Sequence, residues 1–266
     1  MVELPQAHHL VPTGTTQEAH PPELDARLIK NMGYQTGGQA MDDSDVWRTQ
    51  PMYSISETAH LAEVSPATVR RWLQGYTPDA RQPSRQSPPV FGDKVEGPFV
   101  SFLQLVEIVV ASDFRKVGHV KLEVVRLAHL NAKREFGIEY PFAHLELESL
   151  GGHIIRWMRR RDGARARSVD SPDQWVLPGL VAQRMRDIDY ERQLAARWFP
   201  VGKSVPVVID PLYSAGLPTI LGRGVTVGAI FRRWRAGQLI EFIADDLQVE
   251  STVVERTLQY AEKIAA

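Results

Sequence analysis

The chain contains no cysteine. That absence excludes disulfides, thiolate catalysis and any zinc site built on cysteine. Long apolar runs are missing too. None approaches the ~20 residues a membrane span requires, and the start lacks the basic, apolar and small-residue blocks of a secretory signal. A soluble, cytoplasmic protein without membrane association is the expectation. Charge of one sign is also in short supply, with 31 lysines and arginines balancing 32 aspartates and glutamates for a net charge of −1. The molecule as a whole is therefore no general polyanion binder, and a nucleic-acid site must be a local basic patch. What is present is enough for one large or two modest domains: 266 residues, 43% hydrophobic and 24% charged.

Signatures of catalysis are scarce. Gly202-Lys203-Ser204 has the end of a phosphate-binding loop, but Arg197 stands where that motif needs its first glycine. No His-Glu-x-x-His pair and no Gly-x-Ser-x-Gly elbow occurs. Neither an enzymatic activity nor a metal or other cofactor is expected. His8-His9, within a Pro/Gly/Thr-rich stretch over residues 1–50, fits a solvated arm better than a metal site.

A sharper pattern begins at residue 53. Tyr53 to Ala62 reads as a short helix with Ser56 as its cap and Glu57 complementing the positive end of the dipole. Ser65-Pro66 opens a second helix, with serine as N-cap and proline where a missing N–H costs nothing. Val69, Trp72 and Leu73 recur at helical spacing and face inward, leaving Thr68, Arg70 and Arg71 outside, and Gly75 ends the helix. Ala59 suits the crossing and Val64 the turn. Two short helices, a small residue between them and a tight turn form a helix-turn-helix pattern. Its second helix would present Ser65 and Thr68 to phosphate and Arg70 and Arg71 to guanine edges or phosphate. A surface helical hairpin with solvated arginines would have the same spacing.

Residues 88–100 carry two short apolar runs around a Gly-Asp turn, which predicts a β-hairpin. A hairpin there would act as a wing and bring Arg81, Arg85 and Lys94 to the DNA backbone. An apolar helix follows from Ser101 to about Lys116, then an amphipathic one through Val120–Leu130 that is either core or a dimer seam. A second hairpin is expected around Gly151-Gly152. The run from Arg159 to Arg167, five arginines against one aspartate, reads either as an auxiliary phosphate contact or as an exposed turn.

The C-terminal segment has its own texture. Val207-Val208-Ile209 is a strand ending at Asp210-Pro211, a second strand follows Gly216-Leu217-Pro218, and Thr226 caps a helix through Ile230, Phe231 and Trp234. Residues 239–247 and 251–261 form a further helical pair. From Gln238 to Ala266 six carboxylates face two cations, a net of −4, which repels phosphate and favours a protein partner.

The segment from Val208 to Ala261 resembles the small helical family called domain of unknown function 433. It carries the strand ending in Asp210-Pro211, the Gly216-x-Pro218 strand, a turn before Val225 and a three-helix end; Gly222-Arg223-Gly224 replaces the family's common Gly-Thr-Arg. The stretch from Tyr53 to about Gly137 resembles the MerR-type winged helix through Tyr53-x-Ile55, Ala59, Val64-Ser65 and Thr68-Val69-Arg70-Arg71-Trp72. In that order the two are similar to the longer VapB-type antitoxins of toxin–antitoxin operons. The resemblance implies a protein that silences a PIN-like ribonuclease toxin and, as a homodimer or larger assembly, represses its own operon through operator DNA. Ile230, Phe231, Trp234, Leu239, Ile240 and Ile243 are the candidates for toxin contact, although core packing would claim at least half of them. A stand-alone MerR-like regulator, whose C-terminal domain dimerises or senses a ligand, is the alternative. The expected fold is mainly α with small β-hairpins: an arm (1–50), a winged helix-turn-helix (51–137), a connecting region (138–200) and a small helical domain with a helix-turn-helix-like pair (201–266).

Overall fold

The computed structural model describes residues 46–76, 87–92, 94–145 and 183–265. These residues are mainly helical, with three two-stranded antiparallel sheets. Arg81, Arg85, the Gly151-Gly152 hairpin, the 159–167 arginine run and the arm up to residue 45 lie outside the described residues.

A short helix α1 (Val46–Thr49) leads into strand β1 (Tyr53–Ser54), helix α2 (Ile55–Leu61) and helix α3 (Pro66–Gln74). The cap of α2 is Ser54 rather than Ser56. Its hydroxyl accepts from the Glu57 N–H at 3.2 Å while the Glu57 carboxylate accepts from the Ser54 N–H at 2.8 Å. This reciprocal pair satisfies two otherwise orphaned amides, and it places the helix start at the strand end. At α3 the expected arrangement is found: Ser65 accepts from the Thr68 N–H at 3.1 Å, Pro66 occupies the first turn, and Gly75 closes the helix at φ 76°. Ala59 is buried at the crossing, and the Val64 N–H returns to the Ala59 carbonyl at 2.9 Å.

The two apolar runs of residues 88–100 do not pair with each other. Strand β2 (Phe99–Val100) pairs with β1 instead, in the register Tyr53 to Val100 and Ser54 to Phe99. The physical reason lies in the end of α3, whose last carbonyls have no helical partners. The Val90 N–H binds the Trp72 carbonyl at 2.7 Å and the Val95 N–H binds that of Leu73 at 3.0 Å, so both parts of this loop are held against the helix end. Tyr76 and Ser87 form an antiparallel bridge just beyond it.

Helix α4 (Phe102–Lys116) is the hub. It is apolar nearly all round and buried along most of its length, as such a helix must be. Ser101 and Gln104 repeat the reciprocal cap seen at α2, and Ser112 ties α4 to the turn of the helix pair through the Ala62 carbonyl at 2.9 Å. Helix α5 (Leu122–Phe136) buries Val125, Ala128, His129 and Ala132, so its inward face is core, while Leu130 is exposed. Arg126, whose guanidinium burial lowers its pKa, donates to the Pro89 carbonyl and the Ser87 hydroxyl. Near the end of this half, a 3-10 turn (Pro141–Ala143) plugs Phe142 into the core.

The region read as a connection contains an ordered hairpin, β3 (Ile188–Glu191) and β4 (Leu194–Trp198), turned by Arg192 and Gln193 at positive φ. Ala195 and Trp198 join the core of the first half. Arg48 of α1 reaches across to this hairpin, with its guanidinium on the carbonyls of Glu191 (2.8 Å) and Leu194 (3.3 Å). Strand β5 (Val207–Val208) then pairs with β6 (Thr219–Ile220), and helices α6 (Val227–Arg235), α7 (Ile240–Leu247) and α8 (Ser251–Ala265) complete the chain. Thr226 caps α6, accepting from the Ala229 N–H at 3.1 Å.

Two hydrophobic cores result, and they meet within a few residues: Val205 and Val207 belong to the second, Ile209 to the first. The halves are also joined by charge. Lys263 of α8 sits 2.6 Å from Glu63 in the turn between α2 and α3, and Lys116 lies 3.8 Å from the same carboxylate. Burial pushes the Glu63 carboxyl upward, but the Lys263 hydrogen bond and the charges of Lys263, Lys116 and Arg184 hold it below its ordinary 4.5. A carboxyl depressed on folding adds stability that is present above 4.5 and fades as pH falls through the folded value. Because both partners are half exposed, the contribution is under about 1 kcal/mol. Glu63→Gln is therefore expected to lower the melting temperature slightly at neutral pH and not at all once the carboxyl is protonated, which melts at the two pH values will check.

Candidate nucleic-acid interface and partner surface

The arginine pair lies on the outer side of α3. Trp72 is buried with 4% of its surface accessible, between Val69 and Leu73, and that phase turns Arg70 and Arg71 outward, both exposed. Among the described residues neither arginine has an ion-pair partner. The Arg71 guanidinium lies 5.4 Å over the ring of Tyr76, an attraction that stiffens a long side chain without using its hydrogen-bond donors. Arg70 lines an open cleft with Ser54, Ile55, Ser56, Gln74, Gly97 and Pro98. A polyanion lying across this face meets the exposed start of α2, the guanidinium and the backbone at Gly97 together.

The other predicted contacts are placed less uniformly. Ser65 and Thr68 hydrogen-bond each other at 2.8 Å while Ser65 caps the helix, so their hydroxyls are already partly engaged. Lys94 is exposed beside the end of α3, since the adjoining Val95 is tied to Leu73, and it pairs with Glu96 at 3.7 Å. Gln74 at the end of α3 and Tyr76 just beyond it are exposed and were not singled out from the sequence. Their signal was available: Gln74 falls one turn after Arg70, on the outward side.

The six apolar residues proposed for partner contact divide sharply. Ile230 and Ile243 have no accessible surface and form the centre of the second core, so no partner can touch them in the folded chain. Phe231, Trp234 and Ile240 are half-buried against that core, and the Phe231 and Trp234 rings are 5.9 Å apart. Leu239 is 71% exposed, and Phe242, missed in the sequence, is 60% exposed. The sequence candidates include Ile243 and omit Phe242, whereas helical phase puts Ile243 and Leu247 inside and Phe242 outside.

Between β5 and β6, Asp210 is buried and holds the connection through the Arg197 guanidinium (2.9 Å) and the Leu212 N–H (2.9 Å). The loop then passes Ser214 and Ala215 at positive φ and places Gly216 directly against Tyr53 and Met52 of the first half. Among the described residues no cluster of three or more metal-ligating side chains occurs, and no helix is long and apolar enough to cross a membrane.

Residues 207–261 match the family model described as a protein of unknown function (DUF433). An uncharacterized protein of Mycobacterium tuberculosis, Rv2308, is 25% identical over 223 residues, covering 80% of this chain and 90% of its own. The X-ray crystal structure of Rv2018 from the same organism is similar with a TM-score of 0.59 at 21% identity, over 79% of this chain and 98% of that one. This likeness extends through most of both chains and concerns the fold.

Proposed function

We propose that the chain is an antitoxin: a DNA-binding repressor with a MerR-like helix-turn-helix in its first half, and a C-terminal domain that captures a PIN-like ribonuclease. The observation that carries the DNA half of this reading is the pair of exposed guanidiniums on α3, levered outward by the buried Trp72. Helix α3 holds no carboxylate that would compete for them. Its capped N-terminus gives a place for phosphate, and Arg70 and Arg71 supply the forked donors that read guanine O6 and N7. Lys94 and the start of α2 add backbone contacts. A homodimer would set two such helices on half-sites one helical turn apart.

Capture of a protein is supported by the contrast between the halves. Helix α7 exposes apolar side chains among carboxylates, an arrangement unsuited to a phosphate backbone. The same molecule thus offers one face for DNA and another, of opposite charge, for protein.

Arg70→Ala and Arg71→Ala are each expected to weaken operator binding by ~1–3 kcal/mol if the contact is bidentate. Gel shifts on the operator at fixed salt provide the check, and unchanged affinity in the double variant would overturn the assignment of α3. Co-purification with the co-expressed product of the neighbouring gene tests the other half. Point variants serve better than truncation near residue 200, since Ile209 lies in the first core and Lys263 braces the α2–α3 turn.

One observation favours a second reading, a stand-alone regulator whose C-terminal domain senses a ligand. The direct seating of Gly216 on Tyr53 and of Lys263 on Glu63 would carry a change in that domain to the helix pair. A solitary gene with normal DNA binding and no captured nuclease separates it from the first.

A further inference from the structure

We propose that the outer face of α7, centred on Phe242, is the seat of the captured protein, and that this partner offers an apolar pocket rimmed by lysine or arginine. The inference rests on the capture half of the function proposed above and adds its surface and chemistry.

The argument starts from helical phase. At 100° per residue, Ile243, Ala244 and Leu247 point into the second core with Ile240 beside them. Directly opposite is Phe242, 60% exposed, with Glu241 and Asp245 on one flank and Asp246 on the other. Leu239, 71% exposed, continues the apolar strip at the N-cap of the helix. Singly exposed apolar residues are common and need no account. Here two large ones fall on one short face, and three carboxylates flank the ring, of which Asp246 is paired with Arg233.

The face is also held in place. Arg233 at the end of α6 bonds Asp246 at 2.7 Å and Gln238 at 2.6 Å, bracing the turn that leads into α7. Among the described residues neither Glu241 nor Asp245 has an ion-pair partner, so two negative charges flank the ring unneutralised. A rigid aromatic anchor within a charged rim is the anatomy of an interface hot spot.

Charge selects the occupant. An isologous contact between two copies would set carboxylate against carboxylate around the paired rings. Nucleic acid is repelled for the same reason. A basic protein surface is attracted, and desolvating the ring in its pocket then supplies the affinity. A second exposed apolar group, Leu212, Tyr213 and Leu217 in the β5–β6 connection, serves as the internal control.

The test uses the full chain and the product of the gene beside its own, with binding followed by interferometry. Phe242→Ala is expected to weaken binding about 30-fold or more, and Phe242→Glu to abolish it. Glu241→Lys with Asp245→Lys is expected to slow association about tenfold and remove its salt dependence. Tyr213→Ala is expected to bind as the wild type does, and all variants keep the wild-type melting temperature and operator affinity. If the wild type captures the neighbour and the Phe242 and charge variants capture it equally well, this inference falls and the capture reading stands. If the wild type captures nothing, both fall. Self-association of the wild type that Phe242→Glu abolishes would make the face a copy-to-copy interface and overturn the basic-partner assignment.

Discussion

His129→Leu is expected to lower the stability of the chain by about 1–3 kcal/mol, the usual consequence of taking a hydrogen-bond partner from a buried polar group. The Glu107 carboxylate is buried between α4 and α5 with two contacts on one oxygen: His129 Nε2 at 2.9 Å and the Phe142 N–H at 3.3 Å. Removing the imidazole leaves that carboxylate with one long hydrogen bond in a site lined by Phe91 and Phe142, whose rings meet the imidazole edge-on. Leucine fills much of the volume, so the loss measures polar desolvation more than a cavity. The double variant Glu107→Leu, His129→Leu is expected to recover most of it, because an apolar pair of similar size needs no hydrogen bonds. Chemical denaturation of the four members of the cycle provides the measurement. A His129→Leu loss under about 1 kcal/mol would show the pair to be energetically idle.

Gly216→Ala is expected to cost about 2–4 kcal/mol, from two independent penalties. Gly216 has φ 74°, where alanine is strained, and a Cβ there would run into the Tyr53 hydroxyl, with Tyr53 Cζ at 2.7 Å and Met52 Sδ at 2.8 Å. Tyr53 cannot retreat easily, since its backbone is fixed by pairing with Val100 and its ring is buried. The Tyr53 hydroxyl is itself buried without a hydrogen-bond partner, and burial together with the negative charges of Asp210 and Glu57 pushes its pKa far up. Tyr53→Phe is therefore expected to be neutral or mildly stabilising alone, and to return part of the loss in the Gly216→Ala background. Additive effects in that cycle would place the strain in the backbone and not at the joint between the halves.

What was legible in the sequence followed local chemistry. Ser65-Pro66 and Thr226 mark helix starts because one side chain and one amide suffice, and the Val69, Trp72, Leu73 phase fixes which way the arginines point. Asp210-Pro211 and the strands around it were equally plain. The strand at Phe99 and Val100 was misplaced because pairing is a long-range choice: it has the alternation of a hairpin arm, yet it pairs with β1, while Val90 and Val95 bind the end of α3. Arg48, Arg126 and the Glu107–His129 pair were silent for a related reason. A buried polar group is defined by partners far along the chain, and nothing in its immediate neighbours announces them.

Arg48 has a consequence for the time course of synthesis. Its guanidinium binds the carbonyls of residues 143 and 146 positions later, and Ile209 closes the core that Tyr53 begins. At ~5–20 residues per second, about 7–30 s separate the emergence of α1 from that of its anchoring hairpin. The first half therefore cannot finish folding on the ribosome until much of the C-terminal half has been translated, and a nascent chain halted near residue 180 carries the arginine pair on an unfinished scaffold.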